Sequence, residues 1–506
     1  MQRNILEYLE ETVIQFPNKA AYVSEEIELT FKQVYDHTRS IGTFLSKKGL
    51  DKEPVVVFMG KDPRTIECYM GTVYSGCYYV PIDEEMPKHR VELIFESLQP
   101  KAIICDKKTK DLVHEFSFQG EIFEYETMIQ ETENTELLQK IRRKQIDTDP
   151  IYIVFTSGST GTPKGVIACH RSVIDYIDQL SKILEVDEHT VFGNQTPLYV
   201  DASLKEVYST MKKGATTYLI PKSLFMFPVK LVEYMNQYKI NTVCWVVSAL
   251  TMISAFKTFD TVIPKYLHTI AFGSEVFPIK QFNLWRNVLP ESKFINLYGP
   301  TETTGMCCYY KVDREFLEEE VIPIGIPFEN TDILLLTEEN KEASMGEVGE
   351  LCVRGTSLTH GYYRNPQKTN ECYVQNPLNL LYPELIYRTG DLAKKNERGE
   401  LLFISRKDFQ IKHMGHRIEL GEIEAVASRM NGIKAACCIF DDDKKKIVLY
   451  YVGDMTKKEV IDFFKTMLPR YMIPNVLEAI DQMPLTTNGK VNRNLLTENY
   501  KQKKEK

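Results

Sequence analysis

Short runs of β-branched and aromatic residues recur along this chain, at 103–105, 217–220, 242–246 and 269–272, with helically spaced stretches between them. Strands alternating with helices bury both faces of a sheet, so the pattern confines the chain to an α/β fold with mainly parallel sheets. Ligands of such sheets gather beyond the carboxyl ends of the strands. Residues 242–256 are the longest apolar candidate, but Ser248, Thr251 and Ser254 interrupt them and they are too short for a bilayer span. They read as a buried strand running into a helix.

The apolar run 151–155 has strand length, and Thr156-Ser157-Gly158-Ser159-Thr160-Gly161-Thr162-Pro163-Lys164-Gly165 follows it directly. Glycines let backbone N–H groups converge, hydroxyls add donors and Lys164 adds positive charge, which together suit the oxygens of a nucleotide polyphosphate. The loop is not a Walker A motif, because Lys164 stands between Pro163 and Gly165 instead of preceding Ser or Thr. A flexible Ser/Gly linker is the other reading, and a Pro-Lys-Gly ending behind a buried-type strand fits it poorly.

A net charge of -8, from 62 basic and 70 acidic residues, gives no general attraction to nucleic acid or to an anionic membrane. Polyphosphate must therefore be held by a local site. The eleven cysteines include the adjacent pairs Cys307-Cys308 and Cys437-Cys438, without zinc-site spacing. With no signal-like segment at Met1-Gln2-Arg3-Asn4, they are expected to be reduced thiols of a cytoplasmic protein without membrane insertion.

In chain order, 5–16 has amphipathic helical spacing and is stopped by Pro17-Asn18, Leu29-Thr30-Phe31 opens another helix, and 78–83 reads as a strand closed by Pro81. Residues 1–405 carry no linker or repeat and read as one large domain; 406–506 read as a small α+β domain. In the latter, 420–430 is helical up to Asn431-Gly432, and 435–440 and 447–452 flank a charged hairpin tip. Thr456-Lys457-Lys458-Glu459 is a capping box.

Several polar segments could carry chemistry. Asn296-Leu297-Tyr298-Gly299-Pro300-Thr301-Glu302 follows a strand and offers an aromatic ring, hydroxyls and a carboxylate for Mg²⁺, or is merely a polar turn. Asp391, in Tyr387-Arg388-Thr389-Gly390-Asp391, could accept ribose hydroxyls or sit in an ordinary turn. Asp201 lies in a mainly apolar segment, where a buried carboxylate needs a partner such as a ligand ammonium; a helix N-cap is the structural alternative. Lys490 follows an Asn-Gly turn, a usual place for a solvated charge.

Together and in order, these blocks resemble the adenylate-forming superfamily. Within it the chain is similar to the amino-acid adenylation domains of nonribosomal peptide synthetases and to D-alanine carrier-protein ligases. The resemblance runs from Leu29-Thr30-Phe31 to Lys490 and includes Gly349-Glu350-Leu351, Gly361-Tyr362-Tyr363, 406–424, 468–474 and Asn488-Gly489-Lys490. It implies a large N-terminal domain joined to a small one by a hinge near Asp408, although the family's usual glycine is Ser405 here. It also implies ATP-dependent formation of an aminoacyl adenylate, then transfer to the phosphopantetheine thiol of a carrier protein.

By motif position, the resemblance assigns Thr156, Ser157, Gly158, Ser159, Thr160, Gly161 and Lys164 to the ATP phosphates and Glu302 to Mg²⁺. Gly273, Ser274, Glu275, Asn296, Tyr298, Gly299 and Thr301 fall around the nucleotide, and Asp391 at the ribose with Arg406 close by. Lys490 would bridge the substrate carboxylate and the α-phosphate. Asp201 would pair with the substrate ammonium, though Val200 replaces a usual aromatic and Tyr199 is the aromatic neighbour. The side-chain pocket would be Ala202, Lys205, Cys244, Ile270, Phe272, Leu297, Gly305 and Met306, where Phe272, Leu297 and Met306 suggest a small or slender substrate. Lys205 either meets an acidic group or snorkels away. D-alanine, L-alanine, serine, another small apolar amino acid, aspartate and glutamate all remain open. The competing functions are an acyl- or aryl-CoA ligase and a silent adenylate-binding module. The protein is expected to be a monomer, and its carrier a separate protein unless the chain is one piece of a larger synthetase.

Overall fold

The structure, a computed structural model, describes residues 2–158, 161–485 and 491–505. The chain forms two compact units. The first comprises Met1–Glu84, Leu98–Val154 and Gly165–Lys407; the second comprises Glu85–Ser97, Phe155–Lys164 and Asp408–Lys506. Sequence reading placed the boundary between 405 and 406. It falls two residues later because Arg406 and Lys407 still belong to the first unit's antiparallel sheet. Arg406 lies opposite Asp391 in register, and the Lys407 amide donates to the Gly390 carbonyl at 2.8 Å. Segments 85–97 and 155–164, read as part of the large domain, group with the C-terminal unit.

The first unit is built on three sheets. The nine-stranded one runs in the order Ile326–Pro327, Cys308–Lys311, Lys293–Tyr298, Thr269–Gly273, Thr242–Val246, Val191–Asn194, Thr216–Leu219, Ala20–Val23, Glu28–Thr30. Its interior is parallel and its edges antiparallel. The strands Glu121–Glu124, Ala102–Cys105, Pro54–Phe58, Tyr78–Ile82, Pro150–Thr156 and Lys164–Cys169 form a six-stranded sheet. The third sheet, which ends in Leu385–Lys395 and Leu401–Arg406, is antiparallel.

The expected alternation of strands and helices is present, with one local difference. Pro81 does not close its strand but lies inside Tyr78–Ile82, in register with Val57. A residue without an N–H is tolerated there because the ladder to the strand on the other side is confined to Tyr79 and Tyr152.

One continuous core joins the first two sheets. It holds Val55, Tyr79 and Tyr152 from the six-stranded sheet, Phe192, Cys244 and Ala271 from the nine-stranded sheet, and the buried faces of helices Leu6–Gln15, Phe31–Lys47, His170–Ile183 and Leu204–Lys213. A second core covers the opposite face of the nine-stranded sheet. There Trp245, Ile270, Phe272 and Phe294 meet Phe282 and Trp285 of helix Ile279–Val288. The alternation of side chains along each strand sends 244, 271 and 295 to one core and 245, 270, 272 and 294 to the other.

In the second unit, Ile433–Asp441 and Lys446–Gly453 form the expected hairpin, and Val476–Ala479 adds in parallel. The helix read over 420–430 ends earlier, at Ala427, and Gly432 takes a left-handed conformation beyond it. Thr456 and Glu459 form the capping box of helix Lys457–Met467. All eleven cysteines are free. No described helix is long and apolar enough to cross a membrane.

Candidate active site

Asp201 opens a short 3-10 turn, Asp201–Ser203, that feeds helix Leu204–Lys213. Val200 holds the N-cap position of the turn and Ser203 that of the helix, so the N-cap alternative does not apply to Asp201. The residue is 8% exposed. Burial pushes its carboxyl pKa up; the Thr301 hydroxyl and then Lys205 oppose the rise, while the charge of Glu302 reinforces it. Thr301 and Glu302 belong to the turn Thr301–Thr303 just beyond the strand Lys293–Tyr298, so two strand ends deliver the two carboxylates to one neighbourhood.

Glu302 is fully buried. Its Oε1 accepts the Tyr362 hydroxyl at 2.6 Å, and its carbonyl accepts the Thr359 amide at 3.1 Å and the Tyr373 hydroxyl at 3.2 Å. The turn can be this tight because a Cβ on Gly299 would lie 2.1 Å from the Gly305 carbonyl oxygen, while Gly305 has φ +118 against the Tyr176 ring. Among the described residues there is no group of three or more metal-ligating side chains.

Asp391 is the centre of a second arrangement. Its Oδ2 accepts the Tyr298 hydroxyl at 2.5 Å, its Oδ1 accepts Arg406 at 2.5 Å, and its amide donates to Thr389 Oγ1 at 2.9 Å. Burial first, and then the charge of Asp391, holds the Tyr298 hydroxyl protonated. A carboxylate has about four lone-pair sites, so Asp391 keeps acceptor capacity for two further hydroxyls. Gly273, Ser274 and Glu275 follow the strand Thr269–Gly273. Glu275 accepts the Ser248 amide at 2.8 Å, and Ser274 takes φ +68. The Asn296 side-chain amide already donates to the Pro323 carbonyl at 2.8 Å.

The predicted side-chain pocket divides. Cys244, Leu297 and Met306 belong to the core shared by the two sheets, with Ala202, Lys205 and Gly305 buried as well. Ile270 and Phe272 do not join them. They belong to the core on the other face of the sheet, where Phe272 packs edge-on to Phe277 at 5.1 Å. An odd-numbered step along a strand is the physical reason, since it reverses the side chain. Phe272 therefore takes no volume from the Cys244 side.

Lys205 is 5% exposed, and its charge acts on Asp201, Glu206 and Cys244.

In the second unit, the phosphate-type loop is held from within. The Gly161 amide donates to the Gly158 carbonyl at 2.9 Å, Ser157 Oγ donates to the Arg417 carbonyl at 2.8 Å, and Lys164 stands 3.5 Å from Glu419. The Thr156 hydroxyl faces the Lys164 carbonyl at 3.5 Å. Ser159, Thr160 and Lys490 lie outside the described residues.

Comparison with known proteins identifies the family. Residues 9–363 match the AMP-binding enzymes, and residues 422–490 match the AMP-binding enzyme C-terminal domain. The chain belongs to the AMP-binding enzymes. It is 30% identical over 505 residues to tyrocidine synthase 1 of Brevibacillus parabrevis, covering 98% of this chain and 45% of that one. It is 29% identical to zwittermicin A synthase ZmaJ of Bacillus cereus, covering 98% of this chain and 95% of that one. The chain spans about half the length of the first of these relatives. In fold it resembles the Vibrio cholerae adenylation domain AlmE, crystallised with glycyl-adenosine-5'-phosphate, with a TM-score of 0.82 at 19% identity over 99% of this chain and 98% of that one.

This AMP-binding enzyme also carries polar residues that local sequence did not single out. Glu206 is fully buried, its Oε1 is without a hydrogen-bond partner, and burial pushes its pKa up to about 7. Asn194 donates to its other oxygen at 3.4 Å. Lys61 is held at the same strand ends, donating to the carbonyls of Asn194, Gln195 and Ile220 at 2.9, 3.0 and 3.0 Å, and burial lowers its pKa to about 7. Helix Leu204–Lys213 buries Lys205, Glu206 and Ser209 as well as Leu204, Val207, Tyr208 and Met211, and it is bonded through Tyr208 to Tyr79 at 2.7 Å and through the Val207 carbonyl to Tyr22 at 2.7 Å.

Proposed function

We propose that this AMP-binding enzyme activates an amino acid as its adenylate and passes it to the phosphopantetheine thiol of a carrier protein. A substrate carboxylate oxygen attacks the α-phosphorus of ATP, the bond to the bridging oxygen of the β-phosphate breaks, and pyrophosphate leaves. In the second step the thiol displaces AMP from the acyl carbon. Both steps need alignment and charge neutralisation more than covalent help from the protein.

The observation that carries this reading is Asp201. It is a buried carboxylate whose pKa burial raises against the Thr301 hydroxyl and the charge of Lys205, and among the described residues it has no ion pair within 4 Å. Such a group is costly until a cation joins it, and the α-ammonium of an amino acid supplies one. A fatty or aryl acid would leave it unmatched. Tyr298 and Asp391 offer a ring and acceptors for adenosine. Lys164, now beside Glu419, would exchange that partner for phosphate oxygens. Lys490 would bridge the substrate carboxylate and the α-phosphate, offsetting two anions pressed together.

Glu302 is the residue that would hold Mg²⁺, and one buried carboxylate suits an ion that takes most of its oxygens from phosphates and water. Bound there, the ion would neutralise phosphate charge.

Amino-acid-dependent ATP–pyrophosphate exchange tests the reading. The wild-type chain is expected to exchange with at least one amino acid and with no simple carboxylic acid, and Lys490→Ala to lose most of that activity. Equal exchange with the deaminated acid would refute it.

A further inference from the structure

Asp201 opens the 3-10 turn Asp201–Ser203, and Lys205, four residues on, lies in the first turn of the helix Leu204–Lys213 that follows. One is a buried anion and the other a buried cation. Among the described residues the Lys205 ammonium has neither a hydrogen bond nor an ion pair within 4 Å. Its charge acts on Asp201, Glu206 and Cys244, so it stands near two buried carboxylates and a buried thiol. A buried ammonium without a bonded partner is strongly disfavoured unless a ligand completes it.

We infer that the substrate is an amino acid whose side chain ends in a carboxylate, with Lys205 as the residue that receives it. The inference rests on the amino-acid adenylation reading and sharpens it. The α-ammonium goes to Asp201 and the side-chain carboxylate to Lys205, so each substrate charge meets a protein charge of opposite sign. The neighbouring residues Ala202, Cys244 and Gly305 are small, and Phe272 belongs to the opposite face of the sheet. A basic side chain would meet the Lys205 charge head-on. An uncharged one would leave the ammonium as it is.

The test is ATP–pyrophosphate exchange by the full chain with aspartate, glutamate, asparagine, glutamine, alanine, serine and ornithine, each in both stereoisomers. The expected result is a kcat/KM for aspartate or glutamate at least about tenfold above that for its own amide, since a site with a charge to satisfy rejects the analogue lacking the partner. Lys205→Met is expected to lower the acid's kcat/KM by about 10²-fold while changing the amide's by less than about threefold. The wild-type ranking decides the matter even if that variant fails to fold. Preference for an uncharged or basic amino acid overturns the inference and leaves amino-acid adenylation standing. Exchange with simple acids but with no amino acid overturns both.

Discussion

On one face of the nine-stranded sheet, Phe272, Phe282 and Phe294 pack ring against ring, Trp245 and Trp285 meet Phe225 and Phe259 edge-on, and the indole N–H groups of both tryptophans are satisfied by backbone carbonyls, Gly193 and Leu250. On the other face, the same strands meet helix Leu204–Lys213, and Asp201, Lys205, Glu206 and Asn194 are buried among tyrosines and aliphatics. Glu206 Oε1, Asn194 Oδ1 and Ser209 Oγ have no hydrogen-bond partner there, a pattern absent from the aromatic face apart from Thr251 and Thr258 at its margin. The aromatic face lowers the free energy of the fold. The polar face holds buried polar groups without hydrogen-bond partners among the described residues, the pattern expected of a binding site and not of a core.

The comparison can be broken by substitution. Trp285→Ala should cost about 3–5 kcal/mol of unfolding free energy, measured by denaturant titration, and leave the order of amino-acid preference unchanged. A change in that order would show that the aromatic face reaches the substrate.

Asp201→Ala should do the reverse. Exchange activity should fall about 10²- to 10³-fold, while stability stays level or rises, because a buried carboxylate with no ion pair within 4 Å among the described residues is removed. A large loss of stability would show that Asp201 is a structural group.

Glu206 sharpens the contrast through pH. Its folded pKa is raised from 4.5 to about 7, so the folded chain holds the proton more tightly than the unfolded one. Its contribution to stability is therefore complete below pH 4.5 and is lost as pH rises through about 7, a change of about 3 kcal/mol. Denaturant midpoints measured from pH 4.5 to 8 should show that decline in the wild type and a flatter profile in Glu206→Gln.

The smallest effect separates neighbouring positions. Phe272→Leu should cost about 1 kcal/mol and change relative kcat/KM values by less than about threefold, whereas Cys244→Val, on the polar face, should shift them about tenfold. Equal effects would mean that the two faces are not independent.

Much of this was legible in the sequence. Apolar runs at 242–246 and 269–272 gave strands because β-branched and aromatic residues suit a pleated surface, and the Thr456–Glu459 spacing gave a capping box because those two side chains satisfy each other's backbone. The turn at 298–302 and the Thr-Gly-Asp segment at 389–391 could be singled out as polar groups beside strand ends. That Tyr298 and Asp391 hydrogen-bond to each other, 93 residues apart, could not.

Sequence by itself determined the elements, their order and the residue types available for chemistry, because propensity, periodicity and turn geometry act over a few residues. Only the tertiary structure decided which face each strand residue serves and whether a helix has a solvent side. Ile270 and Phe272 left the expected pocket on that ground. Lys205 was enclosed on the same ground, because packing on both sides of one helix depends on strands far away in the chain.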